Sequence, residues 1–253
     1  MRLDVYLAEN GLCRSRSRAQ ELIKKGAVTV GGKTQTKPSF EVPAGASVGL
    51  APDTGFVGRG GEKLESAARA FGLDFSGKVC ADLGASTGGF TDCMLRRGAA
   101  KVFAVDVGSG QLAPSLAADG RVVNLENTNV RYMDPALVAP VGFAAADLSF
   151  ISLKHIFPVL RGILAPDARA VCLVKPQFEA GREHIGKNGV VKDKKVHLAV
   201  VRRVIGEARE NGLYPVALAV SPIKGGDGNT EFLLCLSPRA EDERTVDTEM
   251  ILQ

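Results

Sequence analysis

From residue 78 onward, short apolar runs alternate with longer stretches of helical period. The runs are KVCADLG (78–84), KVFAVDVG (101–108), RVVNLE (121–126), GFAAADLSF (142–150), ARAVCLVK (168–175), LYPVALAV (213–220) and TEFLLCLS (230–237). Their length and enrichment in Val, Leu, Ala and Phe predict buried strands. TDCMLRRG, from residue 91, reads as the start of a helix, and KKVHLAVVRRVIGEARENG (194–212) as a long amphipathic one. Strands that alternate with helices imply a parallel sheet. The last two strands, separated by PIKGGDGN (222–229), imply a terminal antiparallel pair. The expected fold is α/β, a Rossmann-like unit on a seven-stranded mixed sheet.

Residues 1–50 carry a different pattern. Leu3, Val5, Tyr6 and Leu7 form the apolar side of a short helix that Gly11 ends, and Ala19, Leu22 and Ile23 recur at helical spacing in a second. Ser15 or Ser17 caps that second helix, and Gly26 closes it. Val28 and Val30 alternate as in a strand, with Gly31-Gly32 as a turn. A small α+β domain over 1–50 is expected, followed by a linker over 51–57, a catalytic unit over 58–240 and a polar, partly disordered tail over 241–253.

Charge sharpens the division. Residues 1–50 hold eight of the 32 Lys and Arg but four of the 28 Asp and Glu, so the whole excess of +4 lies in the first fifth of the chain. Such a localised excess fits a polyanionic partner. Arg2, Arg14, Arg16, Arg18, Lys24, Lys25 and Lys33, with Arg59 just beyond, are the candidate contacts for phosphate. No apolar run reaches the length of a membrane span, and Asp4 and Glu9 interrupt any signal-peptide core. A cytoplasmic location follows as the expectation. The five cysteines are scattered without a CxxC pair and read as reduced, buried thiols; no metal site is expected.

Two groups of residues carry candidate chemistry. KVCADLG, a tight loop over Gly84, Ala85, Ser86, Thr87, Gly88 and Gly89, Phe90 and then a helix are followed by a second strand that ends in Asp106. Strand, glycine loop, helix and an acid about 20 residues on is the nucleotide-cofactor arrangement, the acid accepting from ribose hydroxyls. The loop is not the G-x-G-x-x-G of dinucleotide enzymes, and Asp82 before it suits a cationic amino-acid end better than a pyrophosphate. S-adenosylmethionine is therefore favoured over NAD. The second group is Lys63, Asp147, Lys175 and Glu231, all expected where strand ends converge. A ribose hydroxyl needs a base to become nucleophilic; Lys175 serves if a second cation, Lys63, and burial favour its neutral form while Asp147 orients it. Glu231 and Lys63 would hold the ribose in line.

The ordered string RLDVYL…GLCRSRSRAQELIKKGAVTVGGK resembles the RNA-binding domain first known from ribosomal protein S-four. GRGGEKLE (58–65), DLGASTGGF (82–90), AVDVGSGQL (104–112), ENTNVR (126–131), DLSF (147–150), VKPQFE (174–179) and NTEF (229–232) resemble the TlyA family of ribosomal RNA ribose methyltransferases, related to the FtsJ type. The resemblance implies that Lys63, Asp147, Lys175 and Glu231 form the catalytic tetrad. It places the cofactor on the 84–90 loop, Asp106 and Glu126. It further implies 2′-O-methylation of cytidine in 23S rRNA, in some members 16S rRNA as well, with rRNA or ribosomal subunits as partners. The chain length points to 23S alone, and a monomer is expected. Where the family has Ser before Arg-Gly-Gly this chain has Gly58, which predicts a looser hinge.

Other readings have sequence requirements of their own. Pseudouridine synthesis needs a catalytic Asp in another context, which is not found. An RNA-binding protein with a non-catalytic Rossmann scaffold predicts a degenerate tetrad. A contact-dependent hemolysin, a label the family carries, requires a spanning or strongly amphipathic segment. Finally, the basic, glycine-containing stretch over 181–195 follows Lys175 closely and is expected to be a mobile flap that orders over RNA.

Overall fold

The computed structural model describes residues 1–13, 15–24, 26–50, 55–186, 188–225 and 228–252. The N-terminal domain comprises α1 (Leu3–Glu9), α2 (Arg16–Lys24), β1 (Val28–Val30), β2 (Lys33–Gln35) and β3 (Val48–Leu50). Its strands form an antiparallel sheet with β1 in the centre. Leu3, Leu7, Ala19, Leu22, Ile23, Val28 and Val30 make its core. Ser15 is the residue that caps α2, its Oγ accepting from the Arg18 N–H at 3.2 Å. Asp4 is the unexpected element: it is fully buried and accepts from Arg2, Arg16 and Gln20 at 2.8–3.0 Å. The Arg2 guanidinium and the other two donors hold its carboxyl well below the usual range, despite burial.

The linker ends in a docked segment over 55–57. Phe56 packs under Gly61, the Arg96 guanidinium lies 4.8 Å from the Phe56 ring centroid, and the Val57 N–H donates to Asp92 at 2.9 Å. The first four linker residues lie outside the described ones. Gly58 lies against the glycine loop. A Cβ there would sit 2.6 Å from Thr87 Oγ1, so the missing side chain permits close packing against the glycine loop.

The catalytic domain begins with α3 (Gly60–Phe71), which strand patterning left unassigned. Leu64, Ala67 and Ala68 bury one face of it, and Gly72 stops it in the left-handed conformation, φ 62°. Then follow β4 (Val79–Leu83), α4 (Gly89–Arg96), β5 (Lys101–Val105), α5 (Pro114–Ala117), β6 (Val122–Leu125), β7 (Val141–Ala146), α6 (Phe157–Ile163), β8 (Leu164–Val174), α7 (Pro176–Glu179), α8 (Lys194–Glu210), β9 (Tyr214–Val220) and β10 (Phe232–Ser237). The sheet order is β6-β5-β4-β7-β8-β10-β9. The first five of these are parallel. β10 inserts between β8 and β9, antiparallel to both, and Phe232 pairs with Val174. Because β10 runs backwards, its start lies beside the end of β8. That register brings residue 231 next to residue 175.

Two apolar layers cover the sheet. One contains Phe157, Leu160, Val201, Val204 and Ile205 from α6 and α8; the other contains Leu64, Phe90, Met94 and Phe75 from α3, α4 and the loop between α3 and β4. The polar end of the chain is docked rather than loose. Ile251 is buried in the first layer, Asp242 pairs with Arg169, and Glu243 and Glu249 pair with Arg209 and Arg202 of α8. No helix among the described residues is long and apolar enough to cross a membrane.

Candidate active site

Lys63, Asp147 and Lys175 line one cleft of about 500 Å³, and Glu231 joins them through Lys63. Asp147 follows β7, Lys175 follows β8, Glu231 precedes β10, and Lys63 rises from α3. Lys63 Nζ donates to Glu231 Oε2 at 2.6 Å and lies 3.7 Å from Asp147 Oδ2. Lys175 Nζ lies 2.6 Å from Asp147 Oδ1 and donates to Ser149 Oγ at 3.2 Å. Lys63 and Lys175 are each 8% exposed and Glu231 3%. The side chains form a chain, Glu231–Lys63–Asp147–Lys175, in which Asp147 bridges the two lysine amino groups. Lys63 is therefore committed to two carboxylates and does not stand as a bare second cation against Lys175.

The glycine loop borders the same cleft. Gly84 has φ 90°, and a Cβ there would lie 2.6 Å from the Asp147 carbonyl oxygen, so only glycine lets β4 turn this close to β7. Ser86, at φ 47°, donates its N–H to Asp106 Oδ2 at 2.8 Å, while the Gly108 N–H donates to Asp106 Oδ1 at 2.8 Å. Asp82 Oδ2 accepts from both the N–H and the hydroxyl of Thr91, but its buried Oδ1 has no partner among the described residues. Burial pushes the Asp82 carboxyl up to about 7; the Thr91 bonds pull against this, and Asp147 and Asp106 add to it.

Asp82, Gly84, Ala85, Ser86, Thr87, Gly89 and Phe90 line this cleft. A second cleft of about 500 Å³ continues past Gly84, Ser86 and Asp147 to Asp106, with Val107, Val130, Leu148, Ile151 and Ile156 as its apolar wall. Two expected residues stand back from both clefts. Gly88 makes the turn, with Leu112 and Leu116 closing on its α-carbon. Glu126 accepts from the Gly110 N–H at 2.9 Å and from Asn124 at 3.1 Å, bracing the loop after Asp106 instead.

The basic residues divide by environment. Arg2 and Arg16 hold buried Asp4, and Arg18 pairs with Glu21. Lys24 reaches the rim of the tetrad cleft. Lys33 lines a groove of about 780 Å³ between the two domains, opposite Lys224 and Asn188, and Arg59 lines both that groove and the tetrad cleft. Arg14 and Lys25 lie outside the described residues.

Several residues with a place in the site were not singled out from sequence. Ser149 receives Lys175. Phe150, at φ 63° and 91% exposed, stands over the second cleft. Asn229, 1% exposed, accepts from the Val191 N–H and donates to the Gly189 carbonyl, pinning the far half of the 181–195 stretch beside Glu231. Glu179 accepts from Ser152 and Leu153. All four lie within the strings DLSF, NTEF and VKPQFE, but a motif does not show which member touches which.

Residues 56–238 match the FtsJ-like methyltransferase family model. The chain belongs to the FtsJ-like methyltransferases. Residues 1–48 match the S4 domain model, so this family member carries that module ahead of its catalytic unit. It is 43% identical over 251 residues to the 16S/23S rRNA (cytidine-2′-O)-methyltransferase TlyA of Mycobacterium tuberculosis, covering 98% of this chain and 93% of that one. YqxC of Bacillus subtilis, named as a candidate rRNA methyltransferase, is 46% identical over 238 residues, 93% of this chain and 85% of that one. A solved Streptococcus thermophilus chain named as a candidate hemolysin is 40% identical with a TM-score of 0.79, covering all of this chain and 93% of the other. Length does not separate 23S from dual activity, since the Mycobacterium protein named for both RNAs is matched over nearly its whole length.

Proposed function

We propose that this FtsJ-like chain is an S-adenosylmethionine-dependent 2′-O-methyltransferase acting on cytidine in ribosomal RNA, with 23S rRNA as its first target and 16S rRNA as a second. The observation that carries the reading is the Glu231–Lys63–Asp147–Lys175 chain of charges at the mouth of a glycine-loop cleft. The cofactor fits the residues present. Orphaned Asp82 Oδ1 offers an acceptor for a cationic amino group, Asp106 faces the position of a ribose diol, and Val107, Val130 and Ile156 form an apolar wall for a flat base. When bound, S-adenosylmethionine supplies an electrophilic methyl group on a sulfonium.

The chain's own residues handle the nucleophile. In its neutral form Lys175 Nζ takes the proton of the ribose 2′-hydroxyl, and Asp147 at 2.6 Å stabilises the ammonium that results. Lys63 and Glu231, tied to each other, hold the ribose so that its oxygen faces the methyl donor. The S-four-type module and the interdomain groove, with Lys33, Arg59 and Lys224, supply the RNA grip. A cytoplasmic monomer acting on rRNA or ribosomal subunits completes the proposal. The hemolysin name has a weaker basis, because no long apolar helix exists among the described residues.

Labelled methyl transfer to isolated 30S subunits, 50S subunits and naked rRNA tests it, with alkaline hydrolysis locating the methyl on the ribose. Lys175→Ala should lower transfer by about 10² to 10⁴, the usual worth of a positioned base. Undiminished transfer by that variant sinks the assignment.

A further inference from the structure

Two segments that leave adjacent parallel strands, 147–153 after β7 and 175–179 after β8, are zipped together at three levels. At the first, Lys175 meets Asp147 at 2.6 Å and Ser149 at 3.2 Å. At the second, the Phe178 ring packs on Phe150 with centroids 4.9 Å apart. At the third, Glu179 Oε1 accepts from the buried Leu153 N–H at 2.8 Å, and Oε2 accepts from the Ser152 hydroxyl at 2.8 Å. The Glu179 side chain is 2% exposed, and Arg203 of α8 backs it, donating to its carbonyl at 2.6 Å and to Oε2 at 3.3 Å.

We propose that Glu179 is a positioning residue for methyl transfer: its carboxylate locks the loop after Asp147 onto the segment after Lys175, and so sets the tetrad's geometry from outside the cleft. This rests on the methyltransferase reading above.

The loop needs such a lock. Phe150 holds φ 63° without being glycine, a strained conformation that persists only where surroundings over-determine it. A buried carboxylate is itself expensive, and an apolar pair could glue α7 to its neighbours at less cost. What Glu179 offers that an apolar residue does not is two acceptor atoms for two donors on successive residues of that loop. Ser152 also caps the short helical turn Leu153–His155, so the lock fixes where the loop ends. With both ends held, by Lys175 and by Glu179, the span bearing Asp147, Ser149 and Phe150 cannot slide along β8.

Glu179→Gln keeps the shape and one acceptor but replaces the other with an amide nitrogen that cannot accept. Ser152→Ala removes the same bond from the loop side and leaves the buried carboxylate in place, so it serves where the first variant folds poorly. In both, kcat should fall about tenfold to a hundredfold, the loss that a displacement near 1 Å produces. KM for RNA and affinity for S-adenosylhomocysteine should stay within about threefold, a split that a merely structural role would not give. Hydrogen exchange at Leu153 should quicken in step. An active wild type whose folded Glu179→Gln and Ser152→Ala variants keep kcat within about twofold overturns the inference alone. A wild type that methylates none of the three RNA forms overturns the functional reading, and this inference with it.

Discussion

On the proposed reading, the buried Asp82 carboxyl links the pH dependence of stability to that of cofactor binding. Its Oδ2 is doubly satisfied by Thr91 while Oδ1 has no donor among the described residues, and burial raises its carboxyl from an ordinary 3.8 to about 7. The folded-state value lies above the unfolded one, so ionisation is costlier in the native protein. Asp82 therefore favours folding at low pH, and that contribution is lost as pH rises from about 4 through about 7. Asp82→Asn should raise the melting temperature of the ligand-free protein, by more at about pH 8 than at about pH 5, in calorimetry. Binding runs the other way. A cationic amino group needs the ionised carboxylate, so affinity for S-adenosylhomocysteine should rise between about pH 6 and about pH 8 in the wild type. In Asp82→Asn it should be weaker and flat with pH by titration calorimetry. A pH-independent wild-type affinity would show that Asp82 does not receive the amino group.

At the level of elements, the stretch over 181–195 splits into two parts with different restraints. Arg182, His184 and Asn188 are exposed. Beyond them Val191 is buried, held by Asn229 on one side and by His197, whose ring nitrogen lies 2.8 Å from the Val191 carbonyl, on the other. Any ordering over RNA therefore belongs to the near half, 181–188. Asn229→Ala removes one buried and one part-buried hydrogen bond, and the buried Val191 N–H left unmatched costs about 1–3 kcal/mol. Limited proteolysis should cut the wild type only before residue 189 and should spread into 189–195 in the variant. Transfer activity should fall as well, because Asn229 stands two residues from Glu231. Identical fragment patterns would show that the staple holds nothing.

Over the whole molecule, the basic residues of the N-terminal domain, with Arg59 just beyond it, fall into two environments. Arg2 and Arg16 neutralise a buried carboxylate and hold the domain together. Lys33 and Arg59 line the groove that opens toward the tetrad cleft. Removing one cation that neutralises a phosphate should reduce the slope of log affinity against log salt by about 0.7 to 1. Lys33→Ala should show that reduction in rRNA binding with an unchanged melting temperature. Arg16→Ala should instead lower the melting temperature by leaving Asp4 short of a partner. If Lys33→Ala leaves the salt slope intact, the strand does not run along this groove.

Every strand of the catalytic domain, the glycine loop and the four charges that converge on the cleft were legible in the linear chain. Apolar periodicity is a local record of burial, and Asp106, Asp147 and Lys175 stand at the ends of readable strands. Glu231 was legible only conditionally, because its place depends on β10 running antiparallel beside β8. The linear chain also offered Arg2 and Arg16 to a ligand, and it left α3, the docked linker and the docked tail unread. What tertiary structure alone decided is which groups meet: Asp4 with Arg16 and Gln20, Asn229 with Val191, Glu179 with Ser152 and Leu153, and Gly58 against Thr87. Those partners come from segments far apart in sequence or from loops without a period, so no local pattern encodes them. Hydrophobic alternation specifies which side chains go inside; the pairing of polar groups is settled only when the sheet brings their strand ends together.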